Sequence, residues 1–192
     1  MRRRIQFQFQ FSVLLMSVVA CAGGMTPPET SPIAETGVVS GIVEMSVVPG
    51  AAVPSVMVSV AGAMMTSNVS RLGEFVLPNV PAGPLELRFT GDGIAAVLQA
   101  GALSGGETMT LRVRLTPAQA AIESIVRIRG TAAVIEGRVE EPGNPLPSNA
   151  IIVGGRIVRV PPGTATLKPG MRVRVTGTID ASGITATSID IL

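Results

Sequence analysis

The chain has 192 residues, of which 46% are hydrophobic but only 3% are aromatic, and it contains no His, Trp or Tyr and a single Cys. Without His, the usual general base at neutral pH and His-based metal sites are excluded, and a lone Cys excludes an internal disulfide. Platforms that stack bases need aromatic rings. The composition therefore points away from these enzyme classes, from cofactor or metal binding, and from nucleic acid as a partner.

The first 21 residues have the organisation of an export signal. Arg2, Arg3 and Arg4 form a basic start, residues 11–20 (FSVLLMSVVA) are apolar, and small residues precede Cys21. The apolar run is shorter than the about 20 residues of a transmembrane helix. An ordinary secretory signal would show the same pattern, but a lone cysteine at this position favours lipidation over a free thiol.

The ending Val18-Val19-Ala20-Cys21 resembles that of a bacterial lipoprotein signal. The resemblance implies cleavage between Ala20 and Cys21 and acylation of Cys21, with palmitate among the expected acyl chains. It also implies an extracytoplasmic location on a bacterial membrane. Ala22 after the cysteine would favour the outer membrane in a Gram-negative cell. Without the three N-terminal arginines, acidic residues outnumber basic ones, so net charge predicts no strong attraction to polyanions.

Residues 21–36 consist largely of Gly, Pro, Thr, Ser and Glu with little apolar content, and they predict a flexible tether behind the lipidated cysteine. From residue 37 the sequence changes to short apolar runs separated by Gly and Pro, which predicts an all-β fold. In the run Leu111–Leu115 (LRVRL), apolar residues alternate with Arg112 and Arg114, so one face is predicted to be buried and the other charged. The strand predictions are 38–44, 55–61, 74–78, 84–90, 94–99 and 108–115.

The run Gly73-Glu74-Phe75-Val76-Leu77, followed by Val80-Pro81-Ala82-Gly83, resembles the carboxypeptidase regulatory-like domain. The resemblance covers residues 37–116 and implies a seven-stranded, prealbumin-type β-sandwich. The six residues Gly91–Ala96 fit the pattern G-x-G-x-x-A of a dinucleotide fingerprint, but no helix fits the residues after it. We therefore interpret it as a β-turn and expect no cofactor.

Residues 116–125 break the β pattern. Thr116 and Gln119 have the spacing of a capping box, and Pro117 stands at the first helical position. The sequence therefore predicts a short helical or extended linker over 117–125.

Residues 126–192 contain a second series of strand patterns, at 131–140, 149–153, 156–160, 171–179 and 184–191. Gly154-Gly155 predicts a hairpin in which Ile152 lies opposite Ile157. The blocks Ile135–Val139, Leu167–Gly177 and Ile184–Ile189 resemble DUF5666, a family of unknown function, and imply a small five-stranded OB-like barrel.

Arginines on the predicted strands form the candidate interaction surface: Arg112, Arg114, Arg172 and Arg174. A basic face on an OB-like barrel could follow a polyanion. Carboxylates such as Glu136 and Glu140 favour the alternative of a solvated face with cross-strand ion pairs. A protein-binding surface is a further alternative, because Arg is enriched at interfaces.

The sequence thus predicts a non-catalytic cell-envelope lipoprotein, anchored to the membrane through Cys21, with a structural or protein-interaction role. The alternative is an accessory module that binds an envelope glycan or polyanion. The sequence does not identify a small-molecule ligand. A hydrolase that uses only carboxylates or Ser has no supporting motif.

Overall fold

The computed structural model describes residues 35–45, 54–164 and 166–192. The regular structure of these residues is entirely β. The strands are β1 (Thr36–Met45), β2 (Val56–Val60), β3 (Thr66–Asn68), β4 (Glu74–Pro81), β5 (Gly83–Gly91), β6 (Ile94–Leu103), β7 (Thr108–Leu115), β8 (Ala120–Arg129), β9 (Ala132–Glu140), β10 (Ala150–Val153), β11 (Arg156–Arg159), β12 (Arg172–Asp180) and β13 (Gly183–Ile191).

The strands form two sheets. The larger has the order β10-β11-β13-β12-β9-β8-β7-β1-β4, and the smaller has the order β3-β2-β5-β6. An additional pairing between β10 and β9 closes five strands of the larger sheet into a barrel. The remaining strands of the larger sheet lie against the smaller one, because their inward side chains share a single core.

Alternation of side chains along the strands produces the core between the two sheets. In β7, Met109, Leu111, Val113 and Leu115 are buried, while Arg112 and Arg114 point away from that core. The rings of Phe75 and Phe89, from opposite sheets, meet edge to face with centroids 6.2 Å apart at 84°. This is the favoured geometry for an aromatic pair.

Strand β8 is shared by the two cores. It pairs with β7 on one side and with β9 on the other. Ile125 belongs to the core between the sheets, while the next residue, Val126, belongs to the barrel core. Adjacent residues of a strand point to opposite faces, so one strand can serve both cores without a break.

The barrel consists of β9, β10, β11, β13 and β12, with a parallel pairing between β11 and β13. Its core is built from Val, Ile and Ala side chains. Gly137 is buried where β9 leaves β8 and approaches β10. A Cβ at Gly137 would lie 3.0 Å from the Cβ of Ser124, so the close approach needs glycine.

The prediction of an all-β chain with a five-stranded barrel is confirmed, and the strand predictions agree with the observed strands to within a few residues. Ile152 does lie opposite Ile157. The helical form of the linker is wrong, because residues 120–129 form strand β8. Thr116 does contact Gln119, but their hydrogen bonds close a turn before β8. The division into domains stays a prediction.

Candidate functional site

The predicted cleavage and lipidation site, Ala20 and Cys21, lies outside the described residues, as does most of the predicted tether. No helix in the described ranges is long and apolar enough to cross a membrane. The site residues that the structure does describe are the four arginines of the candidate interaction surface.

Arg112 and Arg114 project from β7 on the face that points away from the smaller sheet. The Arg112 guanidinium lies 3.3 Å from Glu44 and 3.7 Å from Glu140, so it connects β1 with β9 across β8. Arg114 pairs with Glu123 at 3.1 Å. Glu123 is an extra residue in β8, at a bulge opposite Arg112 and Val113. Both arginines are therefore held by carboxylates.

Arg172 and Arg174 lie on the opposite face of the same sheet. Leu111 is the register partner of Ile125, Ile125 of Glu136, and Glu136 of Arg174. Side chains at paired positions share a face, and Leu111 and Ile125 face the smaller sheet. The structure thus divides the four arginines into two pairs on two faces, and their part in an interface stays a prediction.

The predicted cross-strand ion pairs between these arginines and carboxylates are confirmed at Glu136 and Glu140. Arg174 Nε donates to Glu136 Oε1 at 2.8 Å, and Glu140 accepts from the backbone N–H of Gly155 as well as facing Arg112. These pairs are partly exposed, and such pairs contribute only about 0–1 kcal/mol each. They neutralise charge more than they stabilise the fold.

An ion pair with a buried carboxylate lies between Arg127 of β8 and Glu107, the residue directly before β7. The Glu107 side chain is 6% exposed, and its carboxylate lies 3.2 Å from Arg127 Nη1 and accepts the backbone N–H of Ser104 at 2.7 Å. Arg127 also donates to the carbonyls of Ala102 at 2.6 Å and Ala100 at 2.9 Å. Sequence reasoning missed this pair, because it depends on the register of β8 with β7, in which Arg127 lies opposite Met109.

Two surface carboxylates have a lowered pKa. Hydrogen bonds from Arg88, and then from Gln99, lower the pKa of Glu86. The side-chain and backbone groups of Ser182 lower the pKa of Asp180 in the turn before β13. A lowered pKa keeps the carboxylate charged, so neither group is prepared to act as a general acid.

Three of the hollows in the described surface differ in their linings. One of about 150 Å³ is ringed by charged side chains, including Glu44, Arg112 and Glu140. Another of about 380 Å³ lies where β10 begins, beside the segment that follows β11. A third of about 250 Å³ lies between β6 and the strands β8, β9 and β12, and Arg172 lines it. Among the described residues, no group of three or more His, Cys, Asp or Glu side chains is placed to hold a metal ion.

No protein-family model matches this chain, and no curated protein matches it. The family resemblances of the two halves therefore stay predictions from the residues quoted above.

Proposed function

We propose that the protein is a cell-envelope lipoprotein, anchored to a bacterial membrane by acyl chains on Cys21, with a non-catalytic structural or protein-interaction role. The observation that carries the proposal is the N-terminal order of basic residues, a short apolar run and a small-residue boundary before the chain's single cysteine. Two lipid signals are enough for stable anchoring, since each buried methylene contributes about 0.8 kcal/mol.

The strand arrangement supports the finer family assignments within this proposal. We propose that β1–β7 form a carboxypeptidase regulatory-like sandwich of the prealbumin type. We also propose that β9–β13 form an OB-like barrel of the DUF5666 kind. The order β9-β10-β11-β13-β12 around the closed barrel, with five strands and one parallel pairing, supports the second assignment. Both folds serve many functions, so neither assigns an activity.

The anchor is tested by expressing the full chain in a bacterium and comparing it with Cys21→Ser. The wild type is expected in the membrane fraction and in the detergent phase after detergent partitioning, with the mass of an acylated N-terminal peptide. Cys21→Ser should leave that phase and lack the acyl mass. The matched control is Ser31→Ala, which keeps Cys21 and should behave as wild type. A wild-type chain with an unacylated Cys21 would contradict the anchor.

The interaction role is tested by reversing charge on one arginine pair at a time. If a protein partner binds the β7 face, Arg112→Glu with Arg114→Glu should abolish its cross-linking to the anchored chain. Arg172→Glu with Arg174→Glu, on the opposite face, should then leave the cross-link intact. An identical cross-linking pattern for both double variants and wild type would exclude these arginines from the interface.

A further inference from the structure

The cleft between β6 and the strands β8, β9 and β12 combines an apolar floor with charged walls. Its volume is about 250 Å³, which is below the range of about 300–1,000 Å³ for drug-sized ligands. Ile122 and Ile125 come from the shared strand, and Ile125 is also part of the core between the sheets. The walls carry Gln99, Arg127, Glu136 and Arg172.

The edge of β6 at this cleft is closed to a further strand. A bulge in β6 leaves Gly101 with a φ of +82° and interrupts the register between Leu85 and Glu86 of β5. The carbonyls of Ala100 and Ala102 already accept hydrogen bonds from Arg127. A peptide that paired with this edge would need those carbonyls. A ligand in this cleft must therefore be bound by side chains.

Arg172 is the cation of this cleft with no carboxylate partner among the described residues. Its register partner on β9 is Arg138, and like charges directly opposite each other destabilise a sheet. Arg138 donates to the carbonyl of Gly170 at 2.8 Å and lines the other hollow, beside Glu44 and Glu140, so its side chain is not part of this cleft. Leu192 bonds to Arg172 only through the backbone, with its N–H donating to the Arg172 carbonyl at 2.9 Å.

The other charged walls are already neutralised. Glu136 is paired with Arg174 at 2.8 Å, and Arg127 is paired with Glu107 at 3.2 Å. The Gln99 amide donates to Glu86 at 2.7 Å. The uncompensated charge that lines the cleft is therefore that of Arg172, and it favours an anion.

We propose that this cleft binds a small organic anion, with a carboxylate or phosphate group on Arg172 and an apolar part on Ile122 and Ile125. The planar guanidinium fork matches both oxyanion groups and forms charge-assisted hydrogen bonds with them. The isoleucine floor adds the apolar contact that an inorganic ion lacks. This binding site goes beyond the proposed anchoring role and does not depend on acylation of Cys21.

The test is a titration of the ¹⁵N-labelled full chain in a zwitterionic detergent with three probes: pentanoate, inorganic phosphate and pentanol. Pentanoate should shift the amide signals of Ile122, Ile125 and Arg172 and reach saturation. Phosphate should shift Arg172 more weakly, and pentanol should bind least. Arg172→Gln should weaken pentanoate binding about tenfold or more, because a hydrogen bond to a charged group contributes about 1.5–3 kcal/mol.

The matched control is Arg156→Gln, which removes an exposed arginine of β11, away from the cleft, and should bind as wild type. Equal affinity in Arg172→Gln and wild type would overturn the proposal, as would equal losses in the two variants or a titration that never saturates. Phosphate binding as tight as pentanoate would overturn the role of Ile122 and Ile125. Cys21→Ser should bind pentanoate as wild type, so a failed anchor and a failed cleft are distinguishable.

Discussion

The two cores of this protein are built from different side chains. The core between the sheets contains Phe75, Phe89 and several leucines, whereas the barrel core contains only Val, Ile and Ala among its fully buried members. Large side chains suit a gap between two sheets, and small β-branched ones suit the narrow interior of a five-stranded barrel. The comparison shows that one sheet can serve two cores if a single strand, β8, contributes to both.

The largest expected effect on stability is the loss of a large side chain from the core between the sheets, compared with a small truncation in the barrel core. Phe89 is fully buried, so Phe89→Ala should lower the free energy of unfolding by about 3–5 kcal/mol. Ile135→Val in the barrel core should cost only about 0.5–1.5 kcal/mol. Urea unfolding followed by far-UV circular dichroism measures both. Val97→Ala, at a half-exposed position of β6, is the control and should change little; equal costs for Phe89 and Ile135 would contradict the comparison.

A second effect concerns Arg127, which joins β8 to β6 of the smaller sheet through two carbonyls and pairs with Glu107 before β7. Arg127→Met should cost about 3–5 kcal/mol, because it leaves the buried Glu107 carboxylate unpaired. The double variant with Glu107→Gln should recover part of that loss. Urea unfolding followed by far-UV circular dichroism measures the unfolding free energies of the single and double variants.

The matched control for Arg127→Met is Arg114→Met, which breaks an exposed pair and should cost at most about 1 kcal/mol. If the two single variants lost the same amount, the Arg127 pair would have no special role in joining β8 to β6.

A third prediction tests the close packing of β1 on Phe75. A Cβ at Gly41 would lie 2.6 Å from the Leu111 carbonyl oxygen and 2.7 Å from Phe75 Cε1, so Gly41→Ala should cost about 1–3 kcal/mol. Gly143→Ala, where an added Cβ meets nothing within 4 Å, should leave the midpoint of thermal unfolding unchanged. A neutral Gly41→Ala would mean that β1 and β7 can separate at no cost.

The smallest effect is a change of pKa in the barrel half. Ser182 donates its backbone N–H to Asp180 Oδ1 at 2.7 Å, and its side chain also bonds there, so Ser182→Ala should raise the pKa of Asp180. A group with a lowered folded pKa stabilises the fold above its unfolded value, here 3.8, and loses that effect as the pH falls. The loss of unfolding free energy caused by Ser182→Ala should therefore become smaller below about pH 4.

Carboxyl ¹³C NMR titration measures the pKa of Asp180 directly. Ser188→Ala, on the strand that follows the same turn, keeps the Ser182 hydrogen bonds and is the control. An unchanged pKa in Ser182→Ala would assign the lowered value to other groups, such as Arg159.

The alternation of apolar and polar residues was enough to predict most strands. The Gly154-Gly155 pair predicted its hairpin, and the family resemblance implied the barrel. It failed at β8 for a physical reason. The first part of β8 has two alanines, which favour helices, and the inward face changes at Ile125 and Val126 because each serves a different core. The short polar strand β3 has no apolar pattern, so it was missed as well.

The arginines show how much of a site the sequence can predict. Their exposure followed from alternation, and cross-strand pairing predicted Glu136 and Glu140 as partners but not Glu44 or Glu123. Their division between two faces did not, because it depends on the register of β8 with both of its neighbours. The cleft beside Arg172 likewise depends on the position of β6 relative to β8, which no local pattern encodes.

Hydrogen exchange tests most directly whether the shared strand makes the two cores one cooperative unit. Amides of β5 and β12 should exchange by the same opening in increasing urea, and Phe89→Ala should lower that opening free energy by the same amount in both strands. A barrel strand that keeps its wild-type protection while β5 loses its own would show that the halves unfold separately, and it would contradict the account.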